Sequence, residues 1–261
     1  MLLKEGLYEQ LINKCFAKEI EKIDVERFEA RKEKVDVAES DLILSKYLQE
    51  VIQKSLKFFN SKEKFYNQVD LCNELIQFII SKTGFTDLYD YIIPPDIELL
   101  FAISKINRFT PSEIIRPISP LSQSSLFTGA PNEPSLASEI KKEILTSDRI
   151  DILVSFIKWS GIRIFQEEFK IFTNKPDSSL RLITTSYMGA TDYKAIEFLS
   201  TLPNTTIKVS YDTKRTRLHA KAYLFYRDTG FTTAYIGSSN ISNPAMTSGL
   251  EWNIKVRGEI V

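Results

Sequence analysis

Between residues 149 and 211 the chain alternates between two hydrophobic periods, and this alternation restricts its fold more than any other feature. The runs "RIDILVSFI" (149–157), "LRLITTSY" (180–187) and "TTIKVSY" (205–211) are short and rich in apolar or β-branched residues. Runs of that kind suit strands covered on both faces. Between them "GIRIFQEEFKIF" and "TDYKAIEFLSTL" have apolar residues at helical spacing, the second starting at Thr191 or Asp192. Strands alternating with helices predict βαβ units, hence an α/β domain with a mixed, mainly parallel sheet flanked by helices. "SLASEIKKEILTSD" adds an amphipathic helix ahead of the first strand, with Ser135 as its cap. After the third strand come "LHAKAYLFY" and "TTAYIGSS", joined by "RDTGF", which predicts a hairpin. A short helix and a last strand, "LEWNIKV" (250–256), end the pattern.

Upstream the pattern is helical throughout. Leu3, Leu7, Leu11, Ile12, Phe16, Ile20 and Ile23 recur at helical spacing, as do Leu42 to Phe59 and Val69 to Ile80. "IIPPD" (92–96) interrupts the pattern, and a short helix is expected after it, to about Ile106. Residues 111–134, "PSEIIRPISPLSQSSLFTGAPNEP", are rich in proline and serine and read as a linker or an ordered arm. Ile114, Ile115, Ile118, Leu121, Leu126 and Phe127 predict that it packs on something. The expected organisation is an all-α N-terminal domain over 1–110, the arm over 111–134 and the α/β domain over 135–261.

Lys and Arg number 34 and Asp and Glu 34, so any attraction for a charged partner must be local. Cys15 and Cys72 lie in apolar helical contexts and predict buried free thiols, as in a reducing cytoplasm. No apolar run approaches the roughly 20 residues of a membrane span. The start, "MLLKEGLYEQ", has charges within its apolar stretch, unlike a signal peptide.

His219 is the chain's only histidine. If "LHAKAYLFY" is a strand, His219, Lys221, Tyr223 and Phe225 share one face, with His219 and Lys221 roughly 6.6 Å apart along it. An imidazole beside an ammonium is costly unless both face an anion. The lysine then neutralises charge and depresses the histidine pKa, leaving the ring free as a nucleophile. Gly237 and Asn240 close the next strand with a turn whose amides and side chains suit phosphate oxygens. Lys208, Lys214, Arg215, Arg217 and Lys221 oppose a single acid, Asp212, across 208–221. Beside a phosphate-handling site, Lys214, Arg215 and Arg217 read as contacts to a nucleic-acid backbone. Lys158 and Trp159 come after the first strand, at the end where α/β sheets place their sites. Trp159 is a candidate for base stacking, with core or dimer packing an equal alternative.

"HAK", then "GSSN", then "GLEW" resemble the HxK…GSxN…E signature of the phospholipase D superfamily. Residues 135–256 further resemble the phospholipase D-like domain at the N-terminus of bacterial DEAD/DEAH-type helicases that carry a DUF3427 region. The likeness rests on "LASEI", "DRIDILVSFIKWSGIRI", "TTSYMGATD", "VSYDTKRTRLHAKAYLF", "TGFTTAYIGSSNIS" and "GLEWNIKV". It implies a metal-independent phosphodiesterase acting on nucleic acid, DNA ahead of RNA, with no cofactor. His219 would form a phosphohistidine. Lys221 and Asn240, helped by Ser238 or Ser239, would hold the non-bridging oxygens. Glu251 would hydrogen-bond the other ring nitrogen. The second histidine of this mechanism would come from another copy of the chain, so a homodimer sharing a two-histidine site is implied. In the relatives the domain is joined to a helicase motor, which implies a restriction or defence role. Here no GxxxxGK[ST] is present, and the end at "KVRGEIV" reads as a truncation or an isolated module. The superfamily aspartate is replaced by Tyr226, with Asp228 out of register. The alternative is a nucleic-acid binding or targeting module with little turnover. Phospholipid hydrolysis ranks last, for want of a membrane-seeking helix.

Overall fold

The computed structural model describes residues 3–60, 63–103, 114–212 and 218–258. The chain divides into two compact units, Met1–Phe101 and Ala102–Val261. The first contains helices α1 (Lys14–Ile20), α2 (Ser40–Phe58) and α3 (Lys64–Thr83). Helix α1 is shorter than the apolar spacing of residues 3–23 predicts. Its start is set by Asn13, whose side chain accepts from the Cys15 and Phe16 amides, and Leu7 upstream is fully exposed. Helix α3 ends at Gly84, which takes the left-handed conformation and returns its amide to the Ile80 carbonyl at 2.8 Å. The helix expected after "IIPPD" does not form over 92–103, and 104–106 lie outside the described residues. Pro94 and Pro95 remove two backbone donors there. The Asn73 side chain instead holds Ile93 through both its amide and its carbonyl, at 2.9 and 3.0 Å. Cys15 is exposed and Cys72 half-buried, which corrects the expectation of two buried thiols. Ile80 is the buried apolar side chain of this unit among the described residues.

The second unit is an α/β layer built on one seven-stranded sheet. Its elements in chain order are β1 (Ser125–Phe127), α4 (Leu136–Thr146), β2 (Arg149–Val154), α5 (Trp159–Thr173), β3 (Ser179–Thr185), α6 (Tyr193–Ser200), β4 (Thr205–Ser210), β5 (Lys221–Tyr226), β6 (Thr233–Gly237), α7 (Asn243–Thr247) and β7 (Asn253–Arg257). The strand order is β1-β7-β6-β5-β2-β3-β4. Only β2, β3 and β4 run parallel to one another, through the crossover helices α5 and α6. The pairs β2–β5, β5–β6, β6–β7 and β7–β1 are all antiparallel. The sheet is therefore mostly antiparallel, not mainly parallel. After β4 the chain crosses to the other side of β2, and β5, β6 and β7 then reverse direction at each step, the last through α7.

The helices cover one face. Ile140 and Ile144 of α4, Ile162, Phe165, Phe169 and Phe172 of α5, and Leu199 of α6 pack on Ile150, Ile152, Leu180, Leu182, Tyr223, Phe225 and Tyr235. Ser135 caps α4 as expected, accepting from the Ser138 amide at 3.2 Å. On the opposite face Leu126, Ile254 and Ile236 stand in register on β1, β7 and β6 and are about half-exposed.

The arm packs on this unit through buried ionic contacts as well as through β1. Glu143 of α4 is fully buried and receives Arg227, Thr233 Oγ1 at 2.9 Å, the Tyr235 hydroxyl at 3.0 Å and Lys255 at 3.4 Å. One turn earlier Glu139 accepts the amides of Ile118 and Ser119 at 2.8 and 3.0 Å, and the Ser119 hydroxyl. Lys255 closes the circuit by donating to the Ser119 carbonyl and hydroxyl at 3.0 and 2.9 Å. Burial pushes the Lys255 pKa below the usual lysine value, and Glu143 opposes that shift. Removing one partner leaves the others charged and unpaired out of water. Glu143→Gln is expected to lower the unfolding free energy by about 3 kcal/mol, read by denaturant titration. A loss well under 1 kcal/mol would show that the network does not hold the unit together.

Candidate active site

Strand β5 runs antiparallel to β2, so the start of β5 lies beside the end of β2, with Lys221 opposite Val154. Strand β6 runs antiparallel to β5, which brings its end, Gly237, to the same edge; Ala222 pairs with Ile236. Asn253, at the start of β7, pairs with Gly237. One end of the sheet thus collects residues 155–158, 218–221, 237–242 and 251–253.

Two glycines let backbones approach closely enough for this. A Cβ on Gly237 would lie 2.1 Å from the Trp252 carbonyl oxygen and 2.6 Å from Asn253 Oδ1. A Cβ on Gly161, in the first turn of α5, would lie 2.5 Å from the Ile241 carbonyl carbon. That contact lets residues 238–242 run beside 156–158, where the Lys158 amide donates to the Ile241 carbonyl at 2.8 Å.

His219 precedes β5 and is not part of it, and it is exposed. The β2–β5 ladder ends at the Val154–Lys221 pair, so residues 218–220 have no strand partner and leave the pleat. This corrects the expectation that His219 and Lys221 share a strand face. His219 Nδ1 lies 3.3 Å from Ser155 Oγ. Lys221 is buried and donates from Nζ to the His219 carbonyl at 2.9 Å. Burial pushes its pKa below the usual lysine value, against the pull of the Glu251 carboxylate. Asn240, also buried, accepts the Phe156 amide on Oδ1 at 3.1 Å, so Nδ2 is the donor it has for a ligand. Glu251 accepts the Ser238 hydroxyl, whose oxygen in turn accepts the Trp252 amide at 3.1 Å. Glu251 is not at the imidazole; Ser155 is at Nδ1 in its place.

An imidazole, a partly dehydrated ammonium and an amide donor thus stand at one end of the sheet, and their chemistry suits an anion. Among the described residues no group of three or more His, Cys, Asp or Glu side chains is placed to hold a metal ion.

Residues 135–257 match the family model described as the NgoFVII restriction endonuclease N-terminal PLD domain. Over these residues the chain is similar to a phospholipase D-like nuclease domain. Nucleases of that superfamily are phosphodiesterases. The match spans just under half of the chain. Among solved structures, NucT from Helicobacter pylori aligns with a TM-score of 0.38 and 20% identity, over 51% of this chain and 84% of its own. Nuc from Salmonella typhimurium aligns with a TM-score of 0.37 and 18% identity, over 52% and 84%. The yeast tyrosyl-DNA phosphodiesterase aligns with a TM-score of 0.34 and 10% identity, over 51% and 31%. No curated protein matches the chain.

Several residues expected at the site make other contacts. Ser239 is fully buried, accepts Asn253 Nδ2 at 2.8 Å and receives the Tyr223 hydroxyl on its carbonyl at 2.8 Å. It joins β5, β6 and β7 and does not face a ligand. Lys158 is paired with Asp192 at 3.1 Å, and the same carboxylate accepts the Trp159 amide at 2.9 Å. These bonds fasten the start of α5 to that of α6 and push the Asp192 pKa down, the amide bond first. Trp159 packs edge-on to Phe198 at 5.7 Å, with Lys194 over its ring at 4.8 Å. Lys214, Arg215 and Arg217 lie outside the described residues. Tyr226, in the superfamily aspartate position, ends β5 at the opposite end from Lys221, under the Arg149 guanidinium at 3.7 Å. Ser155 escaped the sequence reading because one serine after a strand carries no pattern.

Gly237→Ala is expected to force β6 and β7 apart and to cost about 1–3 kcal/mol of stability, read by denaturant unfolding. An unchanged midpoint would show that the strands tolerate a methyl group there.

Proposed function

We propose that this chain hydrolyses nucleic-acid phosphodiesters, DNA foremost, with His219 as the nucleophile. The observation that carries the reading is the Lys221 ammonium, buried at one end of the sheet and fixed to the His219 carbonyl, with Asn240 at the same end, within a segment that matches a nuclease family. A cation partly stripped of water binds an anion more strongly than a solvated one, because the interaction is less screened. Lys221 and Asn240 Nδ2 hold the non-bridging oxygens, while the Ser238 hydroxyl is committed to Glu251. The Nε2 lone pair of His219 attacks phosphorus, a P–N bond forms, and the P–O bond to the leaving nucleoside breaks. The leaving oxygen takes its proton from His219 of a second copy of the chain. That imidazole, now neutral, removes a proton from water as water attacks the phosphohistidine and breaks the P–N bond.

The chain holds one histidine, which is what supports a homodimer with a shared site. The sequence resemblance supports a helicase-linked setting, and the matched model, named for a restriction endonuclease, supports a restriction or defence role. No described helix is long and apolar enough to cross a membrane.

Labelled single- and double-stranded DNA incubated with the chain in excess EDTA is expected to be cut by the wild type and not by His219→Ala. Light scattering at cleaving concentrations is expected to give a dimer. DNA bound but uncut by the wild type would favour the binding-module reading. Cleavage that survives His219→Ala would overturn the mechanism.

A further inference from the structure

The ring of His219 needs a partner at Nδ1 if Nε2 is to carry the lone pair. We propose that this partner is Ser155, acting as the positioning residue for the nucleophile; the proposal rests on the nuclease reading above and deepens it. Ser155 Oγ lies 3.3 Å from Nδ1. The serine is 6% exposed and sits one residue beyond the end of β2. Its backbone is tied on both sides. The Ser155 carbonyl accepts Thr184 Oγ1 at 3.3 Å and the Thr185 amide at 3.4 Å, and the next amide, of Phe156, donates to Asn240. The hydroxyl is thus fixed relative to the sheet and to Asn240, whereas His219 stands on an irregular stretch that no ladder holds.

Glu251 makes its hydrogen bond to the Ser238 hydroxyl and none to the ring. A hydroxyl has one proton and two lone pairs, so it can accept the Nδ1 proton. In that arrangement Nδ1–H donates to Oγ, and Nε2 is left unprotonated on the side of the ring away from the buried serine. With no such acceptor, nothing favours the Nδ1–H tautomer over the Nε2–H one.

The test uses the chain's single histidine, so the ring-nitrogen signals of an isotope-labelled sample need no assignment. Spectra of the full chain above the ring's titration are compared for wild type, Ser155→Ala and Ser155→Thr. The wild type is expected to hold the Nδ1–H tautomer. Ser155→Ala is expected to lose it and to lower kcat about tenfold with KM unchanged, the scale on which the loss of a histidine's hydrogen-bond partner is felt. Ser155→Thr, which keeps the hydroxyl, is expected to restore both. A wild-type ring protonated on Nε2, or a tautomer unchanged in Ser155→Ala, would overturn the proposal. A wild type that cuts no nucleic acid would sink the nuclease reading alone, because the tautomer comparison still decides the role of Ser155.

Discussion

A carboxylate sealed from water, that of Glu143, fixes the arrangement on which the candidate site depends. A buried carboxylate is tolerated only when cations and hydroxyls surround it. Glu143 takes them from Arg227 beyond β5, from Thr233 and Tyr235 of β6 and from Lys255 of β7. Tyr235 and Lys255 are also a cross-strand pair, so a slip of either strand would carry one of them out of reach. Two residues along the same ladder, Gly237 meets Asn253, where the loop with Ser238 and Asn240 begins. The register set in the buried network is therefore the register at the site. Glu139 extends the constraint to the arm, which explains how a proline-rich stretch with Ile114, Ile115 and Ile118 half-exposed or more can still be ordered.

The site itself is built from ends of strands, not from their middles. β2 stops at Val154, and beyond it side chains take the place of the ladder in shaping the backbone: Thr191 and Asp192 receive the amides of Ile157 and Trp159, and Asn240 receives that of Phe156. The same bonds that satisfy these amides also orient the functional groups. Asn240 has its oxygen occupied and its nitrogen available, and Lys221 is drained of water on a strand it shares with the core residues Tyr223 and Phe225. Cationic and amide donors brought together this way favour an anion over a metal ion.

The βαβ half of the fold was legible, because β2, β3 and β4 are continuous apolar runs separated by amphipathic helices, and period alone distinguishes the two. The direction of β5 was not. Strand polarity depends on which edge the chain returns to after β4, and that choice is made by packing around β2, not by any local residue. His219 was legible as chemistry but not as geometry, since alternation in "LHAKAYLFY" continues past the point where β2 ends and pairing stops. Lys158 and Trp159 follow β2 as expected, yet their contacts are with Asp192 and Phe198, some 33 to 39 residues away in sequence. Helix α1 and the stretch after Pro94 fell short because in this unit capping and proline chemistry outweigh a sparse apolar spacing that buries little.

The claim that matters most is that His219 becomes covalently bonded to phosphorus. Quenching the chain with end-labelled DNA under denaturing, non-acidic conditions and mapping the labelled peptide tests it directly. The account predicts a transient adduct, stable to base and labile to acid, on the peptide that contains His219. Turnover with no adduct under any quench, or an adduct on another residue, would contradict it.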